Sequence, residues 1–106
     1  MSNIDKSKEV ISSVELINDK LNFKGWVEDN QPVLIDYVPP YGDGNGYTSL
    51  ELFLLSLSSC LGSSILSLIR RGGKTVQGLK IESKGYRKTE HPTSFKTVEI
   101  KIFIKS

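Results

Sequence analysis

A chain of 106 residues is long enough for one domain with one core and too short for two. With 38% hydrophobic and 25% charged residues it has the composition of a globular protein, which excludes wholesale disorder. A net charge of +2, on lysines spread along the chain with no basic block interleaved with aromatics, excludes a nucleic-acid groove.

The first third reads as strands over 9–38. Val10 to Ile17 is a β-prone stretch with mixed faces. Asn18-Asp19-Lys20 carries turn chemistry, and Leu21 to Glu28 gives a second strand, which together predict a hairpin. After Asp29-Asn30-Gln31-Pro32, the nearly continuous apolar run Val33 to Val38 predicts a third strand inside the sheet. Residues 39–47, Pro39-Pro40-Tyr41-Gly42-Asp43-Gly44-Asn45-Gly46-Tyr47, form no regular structure, because prolines break it and glycines free it. A glycine-rich loop before a helix can cradle a phosphate, but the Gly-Lys-Ser/Thr ending of a phosphate loop is missing, so a flexible connector is expected.

Thr48-Ser49-Leu50-Glu51 is a capping box that starts a helix over 48–71. Arg70-Arg71 and Gly72-Gly73 supply the cations and the stop at its end. Two more strands lie within 75–105. Leu79 and Ile81 alternate with Lys80 and Glu82; Val98, Ile100, Ile102 and Ile104 point inward, with Glu99, Lys101 and Lys105 outward. The order βββ-α-ββ is that of one α+β domain spanning 1–106.

The stretch Leu50 to Ile69 has the length of a membrane span and one charge. Its serines, and its position between amphipathic strands that need a shared core, favour a buried helix over a span. A helix apolar on nearly all sides is buried on nearly all sides, and a single five-strand sheet covers only one of them. The expected cover is the same helix from a second copy, since Ser56, Ser59, Ser63 and Ser67 permit close approach; a homodimer follows. The polar N-terminus, Met1 to Glu9, shows no signal peptide, and a cytoplasmic location is expected.

The chain has one cysteine, Cys60, and one histidine, His91, so an internal disulfide is excluded and neither a metal nor a cofactor is expected. Cys60 has two readings. It is a small core hydrophobe, or it is a nucleophile, which needs a thiolate held by a nearby cation. It lies three turns into the helix, beyond the reach of the terminal dipole, and Arg70 is about 15 Å further along the axis. Any activating cation therefore comes from another segment or from a dimer partner. Glu51 is either the capping-box carboxylate or an acid–base group. His91 reads as a solvated loop residue, and Trp26 as ordinary packing.

The run Ser49-Leu50-Glu51-Leu52-Phe53-Leu54-Leu55-Ser56-Leu57-Ser58-Ser59-Cys60 and the block Gly85-Tyr86-Arg87-Lys88-Thr89-Glu90-His91-Pro92-Thr93-Ser94-Phe95 resemble the OsmC/Ohr family of osmotically induced and organic-hydroperoxide-resistance proteins, in its OsmC-like branch. The resemblance covers roughly 33–105. It implies an intertwined homodimer with the cysteine helices packed at its centre. It also implies reduction of organic hydroperoxides, in which a first cysteine attacks the peroxide oxygen and a second resolves the sulfenic acid. Cys60 holds the first-cysteine position and Glu51 the helix-start carboxylate. The family's second cysteine belongs to a region beyond Ser106, so the chain reads as a C-terminally short member that depends on an external thiol. No arginine precedes Arg70 to serve as the family's activating cation, and Lys20 or Lys24 is the expected substitute. The alternative is a non-catalytic dimeric scaffold or small-ligand binder that keeps the fold.

Overall fold

The computed structural model describes residues 9–88 and 94–106, which divide between Ser49 and Leu50 into two compact units. The first unit is a three-stranded antiparallel sheet of β1 (Ser12–Leu16), β2 (Phe23–Val27) and β3 (Val33–Ile35), in the order β1-β2-β3. The expected hairpin forms, with Leu16 opposite Phe23 and Ser12 opposite Val27. Its turn closes as its residues dictate: Ile17 N donates to Asn22 O at 2.9 Å, and Lys20 N donates to the Asn18 side-chain oxygen at 2.9 Å.

Two expectations for this region are corrected. The third strand stops at Ile35 rather than Val38, and it lies at an edge of its sheet, with Val33 49% exposed. A short apolar run does not distinguish an interior strand from an edge strand. The strand ends where Asp36 turns its carboxylate inward and Asp36 N donates to Tyr47 O at 3.0 Å.

The second unit contains α1 (Ser49–Arg71) from Leu50 onward, β4 (Gly78–Arg87) and β5 (Phe95–Lys105). The helix begins one residue after Thr48, as the capping box predicts. At its other end Lys74 N donates to Ile69 O at 3.4 Å and Gly73 N to Arg70 O at 3.0 Å, with Gly73 at φ +78°. This is a Schellman cap, and only glycine takes that backbone conformation without cost. Strands β4 and β5 pair antiparallel with Leu79 opposite Ile104, Ile81 opposite Ile102 and Gly85 opposite Val98. The alternation read from the sequence therefore holds, with the apolar set of both strands on one face.

The five strands form a three-stranded and a two-stranded sheet, not the single sheet expected. Periodicity fixes which face a strand buries but not which strand it pairs with. One stripe of α1 lies on the apolar face of β4. Ser58 Oγ donates to Ser83 Oγ at 2.9 Å, and a β-carbon at Gly62 would come within 3.0 Å of Ile81 Cδ1. Gly62 is the buried residue of this helix. Phe53 (51% exposed), Leu55 (53%) and Leu68 (64%) are open. By length and composition α1 is also apolar enough to cross a membrane. Among the described residues no apolar side chain is fully buried within a single chain.

Candidate active site

Cys60 sits near the middle of α1 and is exposed. At helical spacing its neighbours are Ser56, Leu57, Ser63 and Ser64, with Phe53 and Ser67 two turns away. The serines are less polar than they read in sequence. Ser56 Oγ donates to Phe53 O at 2.8 Å, and Ser63 Oγ donates to Ser59 O at 2.9 Å. Both hydroxyl protons are absorbed by the helix's own carbonyls, so this face can be covered without stranding a donor.

Glu51 lies in the first turn of the same helix. Nine residues separate it from Cys60, which is about 13 Å along the axis and half a turn around it. One chain therefore does not bring the two together. The lysines expected to stand in for an arginine are engaged within the first unit. Lys20 Nζ lies 2.6 Å from Asp43 Oδ1, and this hydrogen bond and charge raise its pKa. Lys24 Nζ lies 5.3 Å from the centroid of the Trp26 ring. Glu90, His91 and Pro92, which carry part of the family signature, lie outside the described residues.

The N-terminal end of α1 borders an open, mostly apolar cavity of about 390 Å³, lined by Leu50 and Phe53 from the helix and by Ser94 through Val98 at the start of β5. Phe53 and Phe95 pack across it with ring centroids 5.9 Å apart. Phe53 is on the helical stripe of Cys60, two turns earlier, so the cavity opens on the cysteine's side of the helix. Among the described residues no group of three His, Cys, Asp or Glu side chains is arranged to hold a metal ion.

Asp36 was not legible as a site residue. It is fully buried and accepts four donors: Tyr37 N at 2.7 Å, Asn45 N at 2.9 Å, Asp43 N at 3.1 Å and Asn22 Nδ2 at 2.8 Å. Burial pushes its carboxyl upward, but the backbone N–H groups of Asn45, Tyr37 and Asp43, with the Asn22 amide, outweigh that and hold it below the usual carboxylate range. The loop after β3 is therefore pinned rather than a flexible connector. Its N–H groups do cradle an anion, and the anion is the chain's own carboxylate. Gly42 belongs to the same arrangement, since a β-carbon there would collide with Asp36 Oδ1 and lie 2.5 Å from Tyr37 O. The signal available in the sequence was an acidic residue inside an apolar strand, directly before a loop rich in Gly, Asn and Asp.

A family profile described as OsmC-like protein matches residues 42–106. No curated protein matches the chain. Among solved structures, an OsmC-like protein of unknown function from Vibrio cholerae is similar in fold, with a TM-score of 0.76 at 15% sequence identity; the match covers 92% of this chain and 76% of that one.

Proposed function

The chain belongs to the OsmC-like protein family, and on that premise we propose that it is a thiol-dependent hydroperoxide reductase with Cys60 as the attacking group. The observation that carries this reading is the position of Cys60, an exposed thiol at the centre of the uncovered face of α1. In the proposed step the Cys60 thiolate attacks the terminal oxygen of an organic hydroperoxide. The O–O bond breaks, sulfur is oxidised by two electrons to a sulfenic acid, and the departing alkoxide takes a proton to become the alcohol. Cys60 is the only cysteine of the sequence. An external thiol condenses with the sulfenic acid, releasing water, and a second thiol then displaces Cys60 from the mixed disulfide.

A second copy of the chain completes the site. A single copy leaves Phe53, Leu55 and Leu68 of α1 exposed beside a run of small residues whose hydroxyls at Ser56 and Ser63 are internally satisfied. Such a face favours a tightly packed partner over water. Glu51, half a turn from Cys60 on the stripe of Ser58, takes the capping-box role, and the cation that stabilises the thiolate comes from a segment other than α1. The stripe of α1 engaged with Ser83 and Ile81 supports a soluble helix rather than a membrane span.

The distance of Arg70 from Cys60 favours one competing reading, a dimeric OsmC-fold binder of small ligands without turnover. Cumene hydroperoxide consumption with dithiothreitol separates the two. The reductase reading expects multiple turnovers by the wild type and none by Cys60→Ser. Equal rates for both proteins, or no consumption by either, would leave the binder.

A further inference from the structure

We infer that the segment 37–47 is a strap closed by one internal anion, the carboxylate of Asp36, and that the cradle is specific enough to accept a free carboxylate when that side chain is removed. The geometry is that of an anion site. Three backbone N–H groups, from Tyr37, Asp43 and Asn45, converge on the two carboxylate oxygens at 2.7–3.1 Å, and the Asn22 amide reaches in from the residue before β2. The side chain they surround has no solvent exposure. These donors come from both ends of the segment and from the β1–β2 turn, so the anion gathers parts of the chain that are otherwise tied by single backbone hydrogen bonds, Gly44 N to Tyr37 O at 3.1 Å and Asp36 N to Tyr47 O at 3.0 Å. Leu21 N donates to Tyr41 O at 2.8 Å on the same side, and Lys20 reaches Asp43 over the rim. At its far end the strap reaches the first residue of α1, where Tyr37 Oη and Ser49 Oγ share a hydrogen bond of 2.6 Å.

Charge, rather than shape, is what this arrangement selects. An amide in place of the carboxylate would have to turn its NH₂ toward at least one backbone N–H, because both oxygens receive donors. The charged and titratable groups around Asp36 are Asp43 on the strap and Lys20 and Asp19 on the β1–β2 turn. Lys20 is paired with Asp43, and its charge favours the ionised form of Asp36. Because the folded carboxyl is held below its ordinary range, the strap stays closed at neutral pH and opens only in acid.

The test is residue-resolved amide hydrogen exchange on the full chain. In the wild type the Tyr37, Asp43 and Asn45 amides are protected. In Asp36→Gly they exchange as in an open loop, while β4–β5 amides stay protected. Sodium formate then restores protection, and sodium chloride at equal ionic strength does not. Protection of the strap in Asp36→Gly without formate, or equal effects of formate and chloride, would overturn the inference. Should β4–β5 protection also be lost in that variant, the wild type decides. Followed by ¹³C shift in an acid titration, Asp36 must take up its proton in step with loss of protection at those three amides. Protection that persists after Asp36 is protonated refutes the strap.

Discussion

Replacement of Gly62 by leucine tests the docking of the helix on its sheet. Gly62 is the buried residue of α1, and a β-carbon there lies 3.0 Å from Ile81 Cδ1 and 3.6 Å from Leu79 Cδ2. A leucine has no room for its remaining three carbons unless α1 lifts from β4. Lifting breaks the Ser58–Ser83 hydrogen bond, worth about 1 kcal/mol net. Overpacking adds about 1–3 kcal/mol, and the better helix propensity of leucine returns somewhat under 1 kcal/mol. The net loss is about 1–3 kcal/mol, which for a chain of this length lowers the thermal midpoint by roughly 4–20 °C. Gly62→Ala presses only on the movable end of Ile81, so it stays within about 1 kcal/mol of the wild type. The assay is thermal and urea unfolding by circular dichroism, with protein concentration held fixed because assembly shifts the midpoint. A Gly62→Leu midpoint within about 2 °C of the wild type would refute the packing argument.

Three further outcomes follow from the same geometry. Gly42→Ala forces a methyl against Asp36 Oδ1 and the Tyr37 backbone and costs more than about 2 kcal/mol in urea unfolding. Asp36→Asn alters the pH dependence of stability. The folded carboxyl lies below its unfolded value, so its contribution is complete above the ordinary carboxylate range and disappears as pH falls through the depressed folded value. The wild-type urea midpoint therefore falls more steeply in acid than that of Asp36→Asn, and parallel profiles would contradict the assignment. Ser63→Lys places a charge on the uncovered face of α1 and is expected to convert the proposed dimer to monomer in sedimentation velocity, whereas an unchanged sedimentation coefficient would count against an interface on that face.

The sequence was most informative where local chemistry determines structure. The Asn18-Asp19-Lys20 turn, the helix start after Thr48, the Gly72-Gly73 stop and the alternation of β5 each depend on a few adjacent residues, and each stands in the structure. Long-range pairing was less legible. The split into two sheets and the edge position of β3 depend on partners far apart in sequence, which periodicity does not encode. The reading of Cys60 as a candidate nucleophile rests on its spacing to Glu51, but that spacing also sets the two residues half a turn apart, so helical geometry alone separates them in one chain. Asp36 was hidden because an acidic residue in an apolar run reads as a flaw in the strand. Its meaning lies in donors seven and nine residues further on, and in Asn22 fourteen residues earlier.

A Cys60 that is a nucleophile toward peroxides can be trapped in its oxidised form. The folded protein is treated with one equivalent of cumene hydroperoxide in the presence of a sulfenic-acid-specific diketone, and Cys60 is then read by peptide mass spectrometry. Near-stoichiometric labelling of Cys60 is expected in the wild type, with an equal yield of cumyl alcohol. An unlabelled, still reduced Cys60 with the hydroperoxide intact would contradict it.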